Sequence, residues 1–107
     1  MSQTIDLRPA ELAIVRDILD AHLPPQTLAW VFGSRATGTA RRYSDLDLAL
    51  EWEKPLDLDV IGRITEALSE SDLPYKVDVV DLRTISPAFR AMIAPDMIVL
   101  PFRTSTP

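Results

Sequence analysis

The sequence predicts one α/β domain, a β-sheet covered by helices. Helix-periodic and strand-like segments alternate along all 107 residues, the pattern of a sheet packed against helices. Ser44–Trp52 alternates strictly between polar and apolar residues, as a half-buried strand does. Apolar residues make up 47% of the chain and charged residues 25%, an ordinary balance for a protein with a core.

The elements follow in order. Arg8–His22 reads as a helix: Pro9 suits its first turn, and Leu12, Val15 and Leu19 recur at helical spacing. Pro24-Pro25 stops it. Thr27–Phe32 is a short apolar run of strand formers, ended by Gly33-Ser34. Ser34–Thr37 is long enough for one helical turn, and Gly38–Tyr43 is a polar loop. In Ser44–Trp52, Asp45, Asp47, Ala49 and Glu51 point one way, and Leu46, Leu48, Leu50 and Trp52 the other. Asp57–Glu70 is a second long helix with Leu58, Ile61, Ile64 and Leu68 on its stripe. Tyr75–Leu82 is a third strand. Ser86 and Pro87 open a short helix that Pro95 closes. Met97–Leu100 is a last strand, expected at a sheet edge where Pro101 is tolerated. The whole of 1–107 reads as one domain, with loose ends at 1–7 and 104–107.

Composition narrows the function. Sixteen acidic against eleven basic residues give a net charge of −5. A direct nucleic-acid binder needs a basic footprint, so none is expected. With no cysteine, disulfides and thiolate metal sites are excluded. Met1–Pro9 lacks a signal pattern. No apolar run approaches the roughly 20 residues of a membrane span. A cytoplasmic location is the resulting expectation.

The chemistry is concentrated between Gly33 and Asp47. Asp45 and Asp47 lie two apart on the alternating strand, so their Cα atoms should sit about 6–7 Å apart with both carboxylates on one side. Side chains so placed can converge on hard cations such as Mg²⁺, which favours oxygen ligands and substrate phosphates. Two such ions can stabilise both the attacking and the leaving oxygen of an in-line displacement. An isolated Asp-x-Asp is more often a solvated strand face. Gly33-Ser34 ends a buried-looking strand, where a glycine lets the backbone approach a phosphate and a helical turn offers free N–H groups. Arg35, Arg41 and Arg42 cluster between these elements, and guanidinium groups bind phosphates by paired hydrogen bonds. Arg35 directly follows Gly33-Ser34 and is the best placed of the three.

Asp78 interrupts the apolar run Lys76-Val77-Asp78-Val79-Val80, where a carboxylate is costly unless paired or metal-bound. It can complete a carboxylate triad or take a proton from an attacking hydroxyl. Asp81 competes, but alternation puts it on the opposite face, beside Arg83, where a surface ion pair accounts for it. His22 follows a helix, where favourable charge at the C-terminus explains it. Trp30 and Trp52 read as packing residues, and Tyr43 as a loop residue.

Gly33-Ser34-Arg35-Ala36-Thr37-Gly38-Thr39-Ala40-Arg41-Arg42-Tyr43-Ser44-Asp45-Leu46-Asp47-Leu48 resembles the signature of the minimal nucleotidyltransferase (MNT) family of the DNA-polymerase-β-like superfamily. That motif is Gly-Ser, ten residues, then Asp-x-Asp. Tyr75–Leu82 followed by Arg83-Thr84-Ile85-Ser86-Pro87 is similar to the family's third-carboxylate strand and following helix. The resemblance spans roughly Ala10 to Leu100, and the joint match outweighs the bland reading of each part. It implies a mixed sheet with helices packed on one side. It implies that Gly33 and Ser34 hold the triphosphate of ATP and that Asp45, Asp47 and Asp78 bind two Mg²⁺ ions; from the residues themselves, Arg35 is expected to help orient the phosphates. The chain has no room for an acceptor-binding domain, so the acceptor would sit on another chain or a dimer partner. Minimal members resemble antitoxins paired with a helical HEPN ribonuclease toxin, and the implied reaction is transfer of AMP to a toxin tyrosine. A competing reading is a catalytically silent module that masks its partner's active site. A third is an enzyme that modifies a small molecule with a helper subunit.

Overall fold

The computed structural model describes residues 4–102. Helix α1 (Pro9–His22) leads into β1 (Leu28–Phe32), the short α2 (Ser34–Thr37), β2 (Leu46–Glu51), α3 (Leu58–Ser69), β3 (Val77–Asp81), α4 (Pro87–Ile93), a 3₁₀ turn (Ala94–Asp96) and β4 (Ile98–Val99). The strands form one sheet in the order β3-β2-β1-β4. β1 pairs antiparallel with β2 and β4, whereas β2 and β3 run parallel through the α3 crossover. The sheet is therefore mixed. The two-residue β4 lies at its edge, where a following proline removes no ladder bond.

The alternation of β2 decides which face meets the core. Leu46, Leu48 and Leu50 are fully buried with Val31, Val15, Leu19, Ile64 and Leu68, so α1 and α3 pack on that face. β2 carries a second covered patch on the other face. Ala49, expected beside the acidic residues, is fully buried in a smaller cluster with Phe32, Leu82 and Ile93. Short α4 causes this by laying Phe89 and Ile93 over that end of the sheet. Ser86 starts α4 as expected, its Oγ accepting the Phe89 N–H at 3.1 Å.

Two sequence expectations change. Leu58, placed on the buried stripe of the second long helix, is 88% exposed. It is the first residue of α3, with Val60 and Ile61 covering the core instead. Of the segment expected to be loose at the N-terminus, residues 1–3 lie outside the described residues, but Ile5 and Leu7 pack against the main core. The Asp6 N–H also donates to the Arg35 carbonyl at 2.8 Å. The expected loose end at 104–107 lies outside the described residues.

Candidate active site

One rung of the sheet organises the site. Phe32 of β1 pairs with Asp47 of β2, and Asp47 pairs with Asp78 of β3. Directly paired residues share a face, so Asp47 and Asp78 emerge side by side on the face that α4 leaves open at this end. Phe32 closes the rung on the third strand. It is buried and meets Phe89 edge-to-face, with ring centroids 6.2 Å apart. Asp45 precedes the first residue of β2 and lies on the exposed approach to the strand.

Both other carboxylates act on Asp47. The Asp47 carboxyl is held above its ordinary value of 3.8, first by burial, then by the charge of Asp78, then by that of Asp45. Among the described residues Asp78 has one modest counter-charge: Lys76 Nζ lies 3.5 Å from its Oδ1, the lysine being exposed and Asp78 about half exposed. Lys76 is absent from the residues singled out in the sequence. The signal was available, since positions 76 and 78 share a strand face.

Gly33 completes the floor. Its φ is +75°, a conformation that side-chain-bearing residues rarely adopt. A Cβ added there would collide with the Asp47 carboxylate. The glycine thus gives the turn its geometry and lets the main chain lie against Asp47. Ser34 opens α2 immediately after it. The turn closes through Ala36 and Thr37 N–H bonds to the Gly33 carbonyl at 3.0 and 3.1 Å.

Two sequence-singled residues fall elsewhere. Arg35 is 4% exposed, and its guanidinium donates to the carbonyls of Asp6, Arg41, Arg42 and Ser44. The reading of Arg35 as a phosphate ligand therefore gives way: its adjacency to Gly33-Ser34 is local, whereas its burial comes from segments distant in sequence. Asp81 is no surface ion pair. It is 7% exposed and accepts the Leu56 N–H at 2.8 Å and the Arg83 N–H at 2.9 Å. It ties down two loops at the far end of β3, away from Asp47. His22 Nδ1 lies 2.9 Å from the Ile18 carbonyl at the end of α1, as a helix-terminal histidine should.

The donor set suits a hard divalent cation: carboxylate oxygens only, with like charges crowded on one face. Among the described residues, no three acidic or imidazole side chains are already gathered into a metal cage. The fit rests on ligand chemistry, a shared face and mutual repulsion that a cation would relieve. No helix among the described residues is long and apolar enough to cross a membrane.

Comparison with known proteins gives the family. The family model "Polymerase beta, Nucleotidyltransferase" matches residues 15–103. A Haemophilus influenzae protein named "Probable protein adenylyltransferase MntA" is 46% identical over 95% of this chain and 89% of its own length. A crystal structure of a toxin–antitoxin with AMP-PNP superposes with a TM-score of 0.72 at 28% identity, covering 87% of this chain and 74% of that one. A candidate minimal nucleotidyltransferase superposes with a TM-score of 0.64 at 33% identity, covering 83% and 88%. With its acidic rung backed by Gly33 and a family match over most of its length, this chain belongs to the polymerase beta nucleotidyltransferase family.

Proposed function

We propose that this chain is the antitoxin of a toxin–antitoxin pair, a cytoplasmic Mg²⁺-dependent enzyme that transfers AMP from ATP to a tyrosine of a cognate HEPN ribonuclease toxin. The observation that carries the reading is the pairing of Asp47 with Asp78 across parallel strands, with Gly33 lying against Asp47. The 46% identity to a protein named as a protein adenylyltransferase supports the acceptor class. The likeness to a toxin–antitoxin with AMP-PNP supports the partner and the nucleotide.

Asp45, Asp47 and Asp78 would hold the metal, with two ions in the family pattern. Bound there, Mg²⁺ supplies charge neutralisation at the α-phosphate and at the departing oxygens. Gly33 and Ser34 receive the triphosphate: the glycine admits it close to the main chain and Ser34 offers a hydroxyl. Phe32, held by Phe89, forms an apolar wall beside Asp47. Asp78 accepts the proton of the acceptor hydroxyl. That oxygen then bonds to the α-phosphorus as the bond to the bridging oxygen breaks and pyrophosphate leaves. Asp78 needs no deep burial for this work, and its half-open setting beside Lys76 keeps it reachable by a protein acceptor.

The test is the intact mass of the toxin co-expressed with this chain or with its Asp45→Asn/Asp47→Asn double variant. The expected result is one or more added AMP units with the wild type, and a loss of at least about 10²-fold in transfer with the variant, the scale of removing transition-state charge stabilisation. A toxin left unmodified by the wild type, yet co-purifying with both, would overturn the enzymatic reading in favour of a masking module.

A further inference from the structure

The three acidic residues are not held in place by the same means. Asp47 and Asp78 sit inside the ladder, fixed by register on adjacent strands. Asp45 lies before β2, which begins at Leu46, so no ladder pairing sets its backbone. The loop that delivers it is exposed at Arg41, Arg42 and Tyr43. Within the loop only a small turn is formed, by Ser44 N–H to Arg41 carbonyl at 3.1 Å and Arg41 N–H to Ser44 Oγ at 2.8 Å.

One buried group reaches into that loop from outside. Arg35 Nε and Nη2 both donate to the Ser44 carbonyl, at 3.1 and 2.9 Å. Nη2 also meets the carbonyls of Arg42 at 3.1 Å and Arg41 at 3.3 Å. Nη1 donates to the Asp6 carbonyl at 2.9 Å, and the Asp6 N–H returns a bond to the Arg35 carbonyl. The guanidinium lies 4.0 Å over the Tyr75 ring, a cation–π contact. Tyr75 is itself anchored by donating to Glu11 Oε1 at 3.0 Å. No carboxylate lies within ion-pairing distance of Arg35 among the described residues. Its charge is satisfied by carbonyl dipoles and an aromatic face alone.

Stability gives little reason to keep such a group, since buried charges are often replaced by apolar residues without loss. Position gives a better one. The carbonyl of Ser44 belongs to the peptide unit that enters Asp45, so fixing it fixes the direction in which the Asp45 side chain leaves. Arg35 also follows Gly33-Ser34 by one residue, so the same side chain ties the phosphate turn to the carboxylate loop. We infer that Arg35 is a positioning residue: its buried guanidinium clamps loop 41–44 so that Asp45 is presented to a divalent cation alongside Asp47. A lysine keeps the charge but cannot supply the planar fork that bridges three carbonyls.

This inference rests on the metal-binding reading of the acidic residues. The test is calorimetric titration of the nucleotide-free full-length chain with Mn²⁺, which reads the site without turnover. Arg35→Lys is expected to weaken Mn²⁺ binding about tenfold, the lower end of what supporting residues contribute to metal affinity. Combined with Asp45→Asn it should cause little further loss, because both changes remove the same ligand. Leu68→Ala, a core truncation remote from the loop, should lower the melting temperature and leave Mn²⁺ affinity unchanged. Tyr75→Leu, which removes the ring under the guanidinium, should weaken binding in the same direction but less than Arg35→Lys does, and serves if Arg35→Lys does not fold. Wild-type affinity in Arg35→Lys, or strict additivity with Asp45→Asn, would overturn the inference while leaving the site reading intact. Equal Mn²⁺ binding by wild type and the Asp45→Asn/Asp47→Asn variant would overturn both.

Discussion

Strands β2 and β3 carry acidic residues at both ends, and the two ends treat them in opposite ways. At the far end, Glu51 lies within 3.6 Å of Arg83 and 3.4 Å of Arg90, and Asp81 is capped by two backbone N–H groups. Both of these carboxylates have partners inside the protein, and α4 covers the sheet between them. At the near end, Asp47 faces Asp78 across the ladder with Asp45 beside it, and burial together with those two charges raises the proton affinity of Asp47. Lys76 offers only an exposed contact. Carboxylates with internal partners maintain the fold; carboxylates that face each other are the ones the proposed function assigns to a ligand from outside.

Crossed substitutions would break or sharpen this contrast. Asp78→Asn should reduce nucleotide transfer by about 10²-fold or more, within the range of a lost general base, with little change in melting temperature. Asp81→Asn should do the reverse. An amide can accept only one of the two N–H bonds and sets its own N–H₂ against the other donor. A loss of about 2 kcal/mol is expected, or roughly 10 °C in melting temperature for a domain of this size, with activity per folded molecule nearly unchanged. If Asp81→Asn instead stopped transfer without altering stability, the assignment of the two ends would be reversed.

A smaller effect concerns Asp47 without metal. Burial and its acidic neighbours raise its folded-state pKa above 3.8, so the ionised form is disfavoured by folding. That penalty is fully present above the raised pKa and is absent below the ordinary value. In EDTA at neutral pH, Asp47→Asn should therefore melt higher than wild type. Calorimetry at successively lower pH should show the gap closing as wild-type Asp47 takes up its proton. The smallest effect belongs to Glu51→Gln. Its arginine partners are nearly half exposed, so the loss should be only about 0.5–1 kcal/mol in a denaturant titration, the ordinary range for such pairs.

The legibility of the sequence follows the same division. Strict alternation from Leu46 to Leu50 identified the core face, and the motif from Gly33-Ser34 to Asp45 and Asp47 pointed to elements that the fold does bring together at Gly33 and Asp47, because both signals lie in short stretches of chain. Parity separated Asp78 from Asp81 for the same reason. What escaped was decided by distant segments. Ala49 is buried because α4 returns over β2, and Asp81 is buried because the loop at Leu56 brings an N–H to it. Arg35 was read from its neighbours in sequence as a ligand, yet its surroundings are Asp6, Ser44 and Tyr75. A side chain whose partners come from three separate segments leaves no periodic trace.

The α3 crossover sets an order of events during synthesis. β1 and β2 are joined by a short connection and pair antiparallel, a local contact that forms early, whereas the parallel pairing of β2 with β3 must await α3 and the strand beyond it. A chain emerging from the ribosome can thus set Gly33 against Asp47 before Asp78 exists beside them. Under the proposed mechanism, such a nascent chain would hold a place for the nucleotide until β3 docks but would have no base for the acceptor. The first copy able to act on another protein is then one that has finished folding.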